Sequence, residues 1–357
     1  MKRFIISTGR SGSTLLSSMV AQNRKVMVLS EFIASMDAVQ HFPKGMLSGE
    51  DFARLISTVD DIGKLIRKRE LAVSENIFDY SRKSRWGPGD DVPTMAMIPL
   101  SALSSEPEKL FDEAMAFARA RPDALVADHY LALFEFLAKL LGKQVWLERS
   151  GNTMRLMPDM RPCFPDGKYL QIHRDGMEAA LSLYNHNWFV LGVQYEHQMP
   201  TQAEVDHAIR HPSKADDDPI YRHFHKKPPI EWFGQYWSNL VCRGFSQFAA
   251  LDRDQYTDLR FEDLMADPKA RLADLARFFE LPDDAGWIDR AAAMVKSDVP
   301  ARAPNLPEAQ YKALEAACLP GNILLGRADP RQLEDTFVMM RKSFAAFETE
   351  QKGKRNG

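Results

Sequence analysis

The chain has 357 residues of which 45% are apolar, enough to bury a substantial core as one large domain or two medium ones. Its net charge of −3 gives no electrostatic case for nucleic acid or an anionic membrane as the main partner, so basic residues that matter act locally. Three widely spaced cysteines, Cys163, Cys242 and Cys318, make neither a disulfide framework nor a zinc spacing, which fits a reducing, cytoplasmic setting.

Met1-Lys2-Arg3 opens like a signal peptide, but the apolar run Phe4-Ile5-Ile6 is too short before Arg10 interrupts it, and no run is long enough to span a membrane. The run instead reads as a strand. Ser7-Thr8-Gly9-Arg10-Ser11-Gly12-Ser13-Thr14 follows as a small-residue loop, and Leu15 to Val20 continue as a helix. Strand, Gly/Ser loop and helix is the layout that turns backbone N–H groups and a helix N-terminus toward an anion. Gly9 and Gly12 allow close backbone approach, Ser11, Ser13 and Thr14 add hydroxyls, and Arg10 adds a permanent charge. The Gly-Lys-Ser/Thr of a Walker A loop is absent, so the loop suits a phosphate without the usual magnesium–ATP arrangement. A tight strand-to-helix turn that binds nothing is the other reading of the same residues.

Val26 to Ser30 is a second strand, ending at Glu31. Residues 50–70 have helical spacing, 76–99 read as an irregular loop around Trp86-Gly87-Pro88-Gly89, and helices resume over 107–120 and 129–141. The latter carries a stripe of Leu131, Phe134, Leu137, Leu140 and Leu141. Gln144 to Arg149 is a third strand, with Ser150-Gly151-Asn152-Thr153 leading into a helix. Lys168 to Arg174 is a fourth strand, and Asp175 caps a helix over Gly176 to Tyr184. Residues 187–230 are the least regular part; an aromatic helix follows from Ile230 to about Leu251. Tyr256 to Phe261 is a fifth strand, and Asp267-Pro268 starts a helix with Leu272, Leu275, Phe278 and Phe279 on its buried face. Helices near 285–297, 307–318 and 330–348 complete the chain before a mobile polar tail at 351–357.

Strands alternating with helices predict an α/β three-layer sandwich on a mainly parallel sheet of about five strands, as one domain over 1–350. Insertions at about 34–130 and 187–230 form its acceptor side. In such sheets ligands bind at the carboxyl ends of the strands. That rule gathers Ser7 to Thr14, Glu31, Arg149 with Ser150, and Arg174 at one crevice. Read singly, these residues keep bland alternatives. Arg10 can be a surface ion pair, Arg174 can pair with Asp175 or Glu178, Glu31 can be a surface carboxylate, and Phe261 can be a core aromatic.

Taken together, four segments resemble the sulfotransferase superfamily that uses 3′-phosphoadenosine 5′-phosphosulfate, which has a P-loop-like fold. Thr8 to Leu16 is similar to its 5′-phosphosulfate loop. Arg174-Asp175-Gly176, with Ser182 eight residues after the arginine, is similar to its 3′-phosphate motif. Leu259 to Leu264 followed by Asp267-Pro268 resembles the strand and helix after the acceptor region. Arg302-Ala303-Pro304-Asn305-Leu306 resembles the late basic loop over the nucleotide. The Arg10-Ser11-Gly12-Ser13-Thr14 form, with arginine where cytosolic members have lysine, is nearer the tyrosylprotein and bacterial branches.

The resemblance implies in-line sulfuryl transfer from that donor to a hydroxyl acceptor, without a metal, leaving adenosine 3′,5′-bisphosphate. Gly9, Ser11, Gly12, Ser13 and Thr14 would hold the 5′-phosphate. Arg10 would stabilise charge on the leaving oxygen, a role typically worth ~3 kcal/mol in the barrier. Arg174 and Ser182 would hold the 3′-phosphate, Arg302 would close over the nucleotide, and Phe261 would stack on adenine. Glu31 would be the general base and Arg149 would stand where the family has a lysine at the sulfuryl oxygens. Two other readings share the fold. One is a P-loop-type nucleotide or small-molecule kinase, for which no Ser/Thr-plus-Asp magnesium pair is assignable. The other is a non-catalytic nucleotide-binding protein.

Other features are discounted. His207 and His211 lack the His-Glu-x-x-His pattern, and His223 and His225 lack a third ligand. Asp216-Asp217-Asp218 reads as an exposed acidic turn. Trp188, Trp232, Tyr236 and Trp237 read as core, yet mark where an acceptor pocket should lie. The resemblance implies a hydroxyl-bearing acceptor that is a small molecule, carbohydrate, lipid or protein side chain.

Overall fold

A computed structural model describes residues 1–35, 42–59, 65–71, 77–81, 83–87, 90–197, 199–213, 215, 217–295 and 300–332. Its centre is a sheet of five parallel strands: β1 (Arg3–Ile6), β2 (Val26–Ser30), β5 (Val145–Arg149), β6 (Lys168–His173) and β7 (Tyr256–Arg260). The short strands β3 (Met46–Leu47) and β4 (Ala124–Leu125) pair antiparallel apart from it. The order across the large sheet is β2-β5-β1-β6-β7. β1 is therefore flanked on both sides and reads as an unbroken buried run, as a central parallel strand must.

Successive residues of β1 and β2 face opposite sides of the sheet, so one strand feeds two cores. Phe4, Ile6, Met27 and Leu29 enter the larger core. Ile5, Val26 and Val28 enter the smaller one with Leu147, Leu170 and Ile172. Helix α1 (Ser13–Val20) covers the smaller core with Leu16, Met19 and Val20, beside Leu272 and Leu275 of the Pro268–Phe278 helix. The Val126–Leu140, Gly176–Tyr184 and Ile230–Phe248 helices cover the larger one. This is the three-layer α/β arrangement expected, with the expected caps. Asp175 accepts from Glu178 N at 3.0 Å, and Asp267 accepts from Ala270 N at 3.1 Å.

Several local expectations need correction. Residues 187–230 are helical rather than irregular, with helices at Asn187–Glu196, Gln202–Arg210 and Pro219–His225. Thr201 and Glu204 form a capping box at the second, a start signal lying in plain view among the histidines and prolines. The acidic turn is not uniformly exposed. Asp218 is fully buried, caps the third helix through Ile220 N and Tyr221 N, and pairs with the equally buried Arg69 at 2.5 Å. Of the stretch expected as an irregular loop, 76–99, the end forms a π-helical turn at Ala96–Leu100. The stripe on the Val126–Leu140 helix is shifted: Leu140 is exposed, while Tyr130, Leu133, Phe134 and Leu137 are buried. The helix after Ser150 begins as a single 3-10 turn, Thr153–Arg155. β7 stops at Arg260, so Phe261 opens a short helix instead of ending the strand. The helix expected near 285–297 spans Trp287–Ala292. From 333 on, the helix expected at 330–348 and the tail at 351–357 lie outside the described residues.

Candidate active site

The loop after β1 is fixed before any ligand arrives. Ser7 N donates to Thr153 Oγ1 at 2.9 Å, Gly9 N donates to Ser7 Oγ at 3.2 Å, and Ser7 Oγ donates to Ser13 Oγ at 3.2 Å. Gly9, Arg10 and Gly12 take left-handed backbone conformations, with φ of 77°, 54° and 91°. At Gly12 sterics add a second requirement: a Cβ there would lie 2.2 Å from Phe261 Cδ2. Gly12 also precedes the first turn of α1, where no side chain caps the helix. The opening amides of α1 therefore remain available to an anion. The buried hydroxyl of Ser11 has no hydrogen-bond partner among the described residues, a vacancy that an incoming phosphate oxygen would fill. The residues present fit a phosphate group.

Toward β6 and β7, the predicted nucleotide residues converge. Arg10 Nε donates to Ser182 Oγ at 3.2 Å, linking the loop to the Gly176–Tyr184 helix. The Arg174 guanidinium lies 4.9 Å from the ring centre of Phe261, the ring that packs on Gly12. Arg174 also reaches Glu178 at 3.6 Å, and Arg302 reaches it at 3.1 Å. Glu178 is thus a hub that the sequence argument treated only as a rival partner for Arg174. Burial pushes its carboxyl up, but the backbone amides of Ala303 and Arg302 and the Arg302 side chain outweigh it and hold it below the ordinary value. Phe261 is buried between Gly12 and Arg174, so packing the loop is a role it performs already.

Toward β2 and β5, Glu31 and Arg149 meet. The strands β1 and β2 are not neighbours, since β5 lies between them. Glu31 reaches the site because Glu31 N donates to Arg149 O at 2.7 Å across the β2–β5 edge. Arg149 Nη1 donates to Glu31 Oε1, and Gly151 N donates to Glu31 Oε2 at 2.8 Å. The rest of the Arg149 guanidinium donates to Ser17 Oγ on α1, from Nε at 3.2 Å and Nη2 at 3.1 Å. Behind this pair stands Glu148, fully buried. Its Oε1 accepts from Ile33 N at 3.2 Å and from the Ser150 hydroxyl, while Oε2 has no partner among the described residues. Burial dominates and pushes this carboxyl up to about 8; the Ser150 and Ile33 hydrogen bonds and Arg149 oppose the rise, and Glu31 adds to it. Ser150 Oγ also accepts from Ala34 N at 3.0 Å, so Glu148 and Ser150 together tether the turn that carries Glu31.

A cleft of about 1030 Å³, counted to its solvent-open mouth, runs from the loop across this second half. Gly9, Arg10, Ser13, Thr14, Glu31 and Arg149 line it. Arg10, Glu31 and Asn152 are non-glycine residues in left-handed conformations, at φ of 54°, 59° and 64°, and all three line it. Backbone strain of this kind, about 1–3 kcal/mol per residue, persists where surrounding structure enforces it and clusters at functional sites. Sequence reasoning missed Asn152, Arg155 and Leu156, although the strand-end rule applies to them as it does to Arg149. It also missed Arg67, which lies in the 50–70 stretch read only for its helical spacing, and Met97, Ile98 and His186, which come from stretches without usable periodicity. Of the four aromatic residues that marked a pocket, Trp188 lines the cleft, whereas Tyr236 and Trp237 are core.

The family model described as "Sulfotransferase family" matches residues 4–218. Solved structures similar to the chain include the sulfotransferase domain from the curacin biosynthetic pathway, 14% identical, covering 92% of this chain and 99% of that one with a TM-score of 0.49. Others are the sulfotransferase domain of the Synechococcus PCC 7002 olefin synthase, 16% identical over 96% of this chain and 94% of that one, TM-score 0.40, and a Mycobacterium avium sulfotransferase, 16% identical over 89% and 76%, TM-score 0.42. The search of curated proteins found no match.

Proposed function

Since the chain belongs to the sulfotransferase family, we propose that it transfers a sulfuryl group from 3′-phosphoadenosine 5′-phosphosulfate to a hydroxyl acceptor and releases adenosine 3′,5′-bisphosphate. The observation that carries this reading is the Arg10–Ser182 hydrogen bond of 3.2 Å, which joins the two segments that would grip the two phosphates. The donor, when bound, supplies a sulfuryl group activated by a phosphate leaving group.

The chain's residues then have distinct tasks. The amides opening α1, with Ser11, Ser13 and Thr14, hold the 5′-phosphate in a site made before binding. Arg10 adds a charge that cannot be lost by deprotonation, next to the oxygen on which negative charge grows. Arg174 and Ser182 hold the 3′-phosphate. For that phosphate Arg174 exchanges part of its contact with Glu178, and Glu178 keeps Arg302 at the rim. Glu31 takes the acceptor's proton. An ionised carboxylate offers about four lone-pair sites, and Arg149 Nη1 and Gly151 N occupy two on Glu31. Arg149, fixed by Ser17, orients that base and faces the sulfuryl oxygens.

Thermal unfolding with added nucleotide tests the reading. A ligand that binds only the folded state raises the melting temperature. Adenosine 3′,5′-bisphosphate should stabilise the protein without magnesium; a shift with magnesium–ATP and none with the bisphosphate would favour a kinase.

A further inference from the structure

The turn that carries Arg174 is held from outside by a segment far along the chain. The Glu308–Leu324 helix is followed by Gly326 in a left-handed conformation, at φ of 62°. Gly326 N donates to Ile323 O at 3.0 Å and Arg327 N donates to Asn322 O at 2.7 Å, the paired closure that turns a chain sharply off a helix. This closure fixes where the Arg327 side chain departs. Arg260 Nη2, at the end of β7, ties it down by donating to Gly326 O at 3.2 Å.

From there Arg327 grips the end of β6, 154 positions earlier. Its Nε donates to His173 Nδ1 at 3.0 Å, and its Nη2 donates to His173 O at 3.2 Å and to Glu262 Oε2 at 2.7 Å. A guanidinium only donates, so His173 Nδ1 accepts and the ring's Nε2–H donates to Asp258 Oδ2 at 3.1 Å. Glu262 Oε1 accepts from Asp175 N at 3.1 Å, and Asn322 Oδ1 accepts from Gly176 N at 3.2 Å. The residues on both sides of Arg174 are therefore bonded into one network.

Charge gives a second reason for it. Arg174 lies in the field of both Glu178 and Glu262. Arg302 engages Glu178 at 3.1 Å, and Arg327 engages Glu262 at 2.7 Å. Burial pushes the Glu262 carboxyl up, but the Arg327 hydrogen bond, with the amides of Glu262 and Asp175, holds it below its ordinary value. Glu262 is thus ionised near neutral pH. Without Arg327 its charge would compete with any anion that Arg174 is to bind.

Resting on the sulfotransferase reading, we propose that Arg327 is a positioning residue of the 3′-phosphate site: it fixes the His173–Gly176 turn and occupies Glu262, so that the Arg174 charge serves the phosphate.

Calorimetric titration of the full chain with adenosine 3′,5′-bisphosphate and with adenosine 5′-monophosphate tests this on wild type, Arg327→Gln, Arg174→Ala and the double variant. Arg327→Gln should weaken the bisphosphate on the order of tenfold, the scale of one charge-assisted contact, and leave the monophosphate unchanged. In the Arg174→Ala background the same substitution should have no further effect, because it acts through Arg174. Arg327→Lys keeps the charge without the planar fork; it should show the same selective loss at smaller size, and it carries the test if Arg327→Gln does not fold. A merely structural role would weaken both nucleotides together. That outcome, an unchanged bisphosphate affinity, or an equal loss with and without Arg174 would overturn the proposal. Where wild type still prefers the bisphosphate, the donor reading stands and only the role of Arg327 falls. A wild type with no such preference removes both.

Discussion

Replacing Glu148 by Gln isolates the charge of one buried carboxyl without changing its shape. In the folded protein this carboxyl keeps its proton up to about pH 8, against an ordinary value of 4.5. The folded state therefore binds more protons than the unfolded chain across that window, and stability falls as pH rises through it. At about 1.4 kcal/mol for each pH unit of displacement, the loss is on the order of 4–5 kcal/mol between pH 4.5 and pH 8. Glutamine has no charge to bury, and its amide replaces the protonated carboxyl at the unpartnered Oε2 position. Urea unfolding of both proteins at pH 5, 7 and 8.5 reads the difference. Wild type and Glu148→Gln should be close at pH 5, with the variant ahead by several kcal/mol at pH 8.5. Parallel stability curves at all three values would refute the claim that Glu148 is held neutral.

Arg10→Ala should lower sulfuryl transfer by about a hundredfold or more, as for loss of a preorganised transition-state donor; full activity would remove the role given to it. Glu31→Gln should reduce kcat by roughly 10²–10⁴ while leaving bisphosphate binding intact, read by labelled transfer and calorimetry. Gly12→Ala should lower both stability and nucleotide binding, because the new Cβ meets Phe261 and the backbone is left-handed there; unfolding and titration of the same preparation would measure the two effects. Asp218→Asn should cost about 3–5 kcal/mol in urea unfolding by stranding the buried Arg69 charge, with donor KM unchanged.

The fold was legible where local chemistry and tertiary structure agree. Phe4-Ile5-Ile6 announces a strand buried on both faces, and Asp175 and Asp267 announce helix starts that form as written. The 187–230 stretch reads as irregular because its histidines, prolines and charges draw attention from short helices, although Thr201 with Glu204 spells a capping box. Asp218 is instructive: its partner Arg69 is 149 positions away, and no local pattern reports a pairing of that span. At the candidate site, the loop could be proposed from its residues, and Arg174 with Ser182 only through the resemblance of their spacing to the family's motif. Glu178 and Glu148 could not, since their importance lies in which distant groups converge on them. Arg67 is likewise brought to the cleft by a chain crossing, whereas Arg155 follows β5 within reach of the strand-end rule.

Calorimetric titration with adenosine 3′,5′-bisphosphate and with adenosine 5′-monophosphate, on wild type and Arg174→Ala, tests most directly whether one ligand spans the loop after β1 and the arginine after β6. The bisphosphate should bind wild type at least tenfold more tightly than the monophosphate, and Arg174→Ala should erase that advantage. Equal affinities in wild type, or an advantage that outlives the arginine, would contradict it.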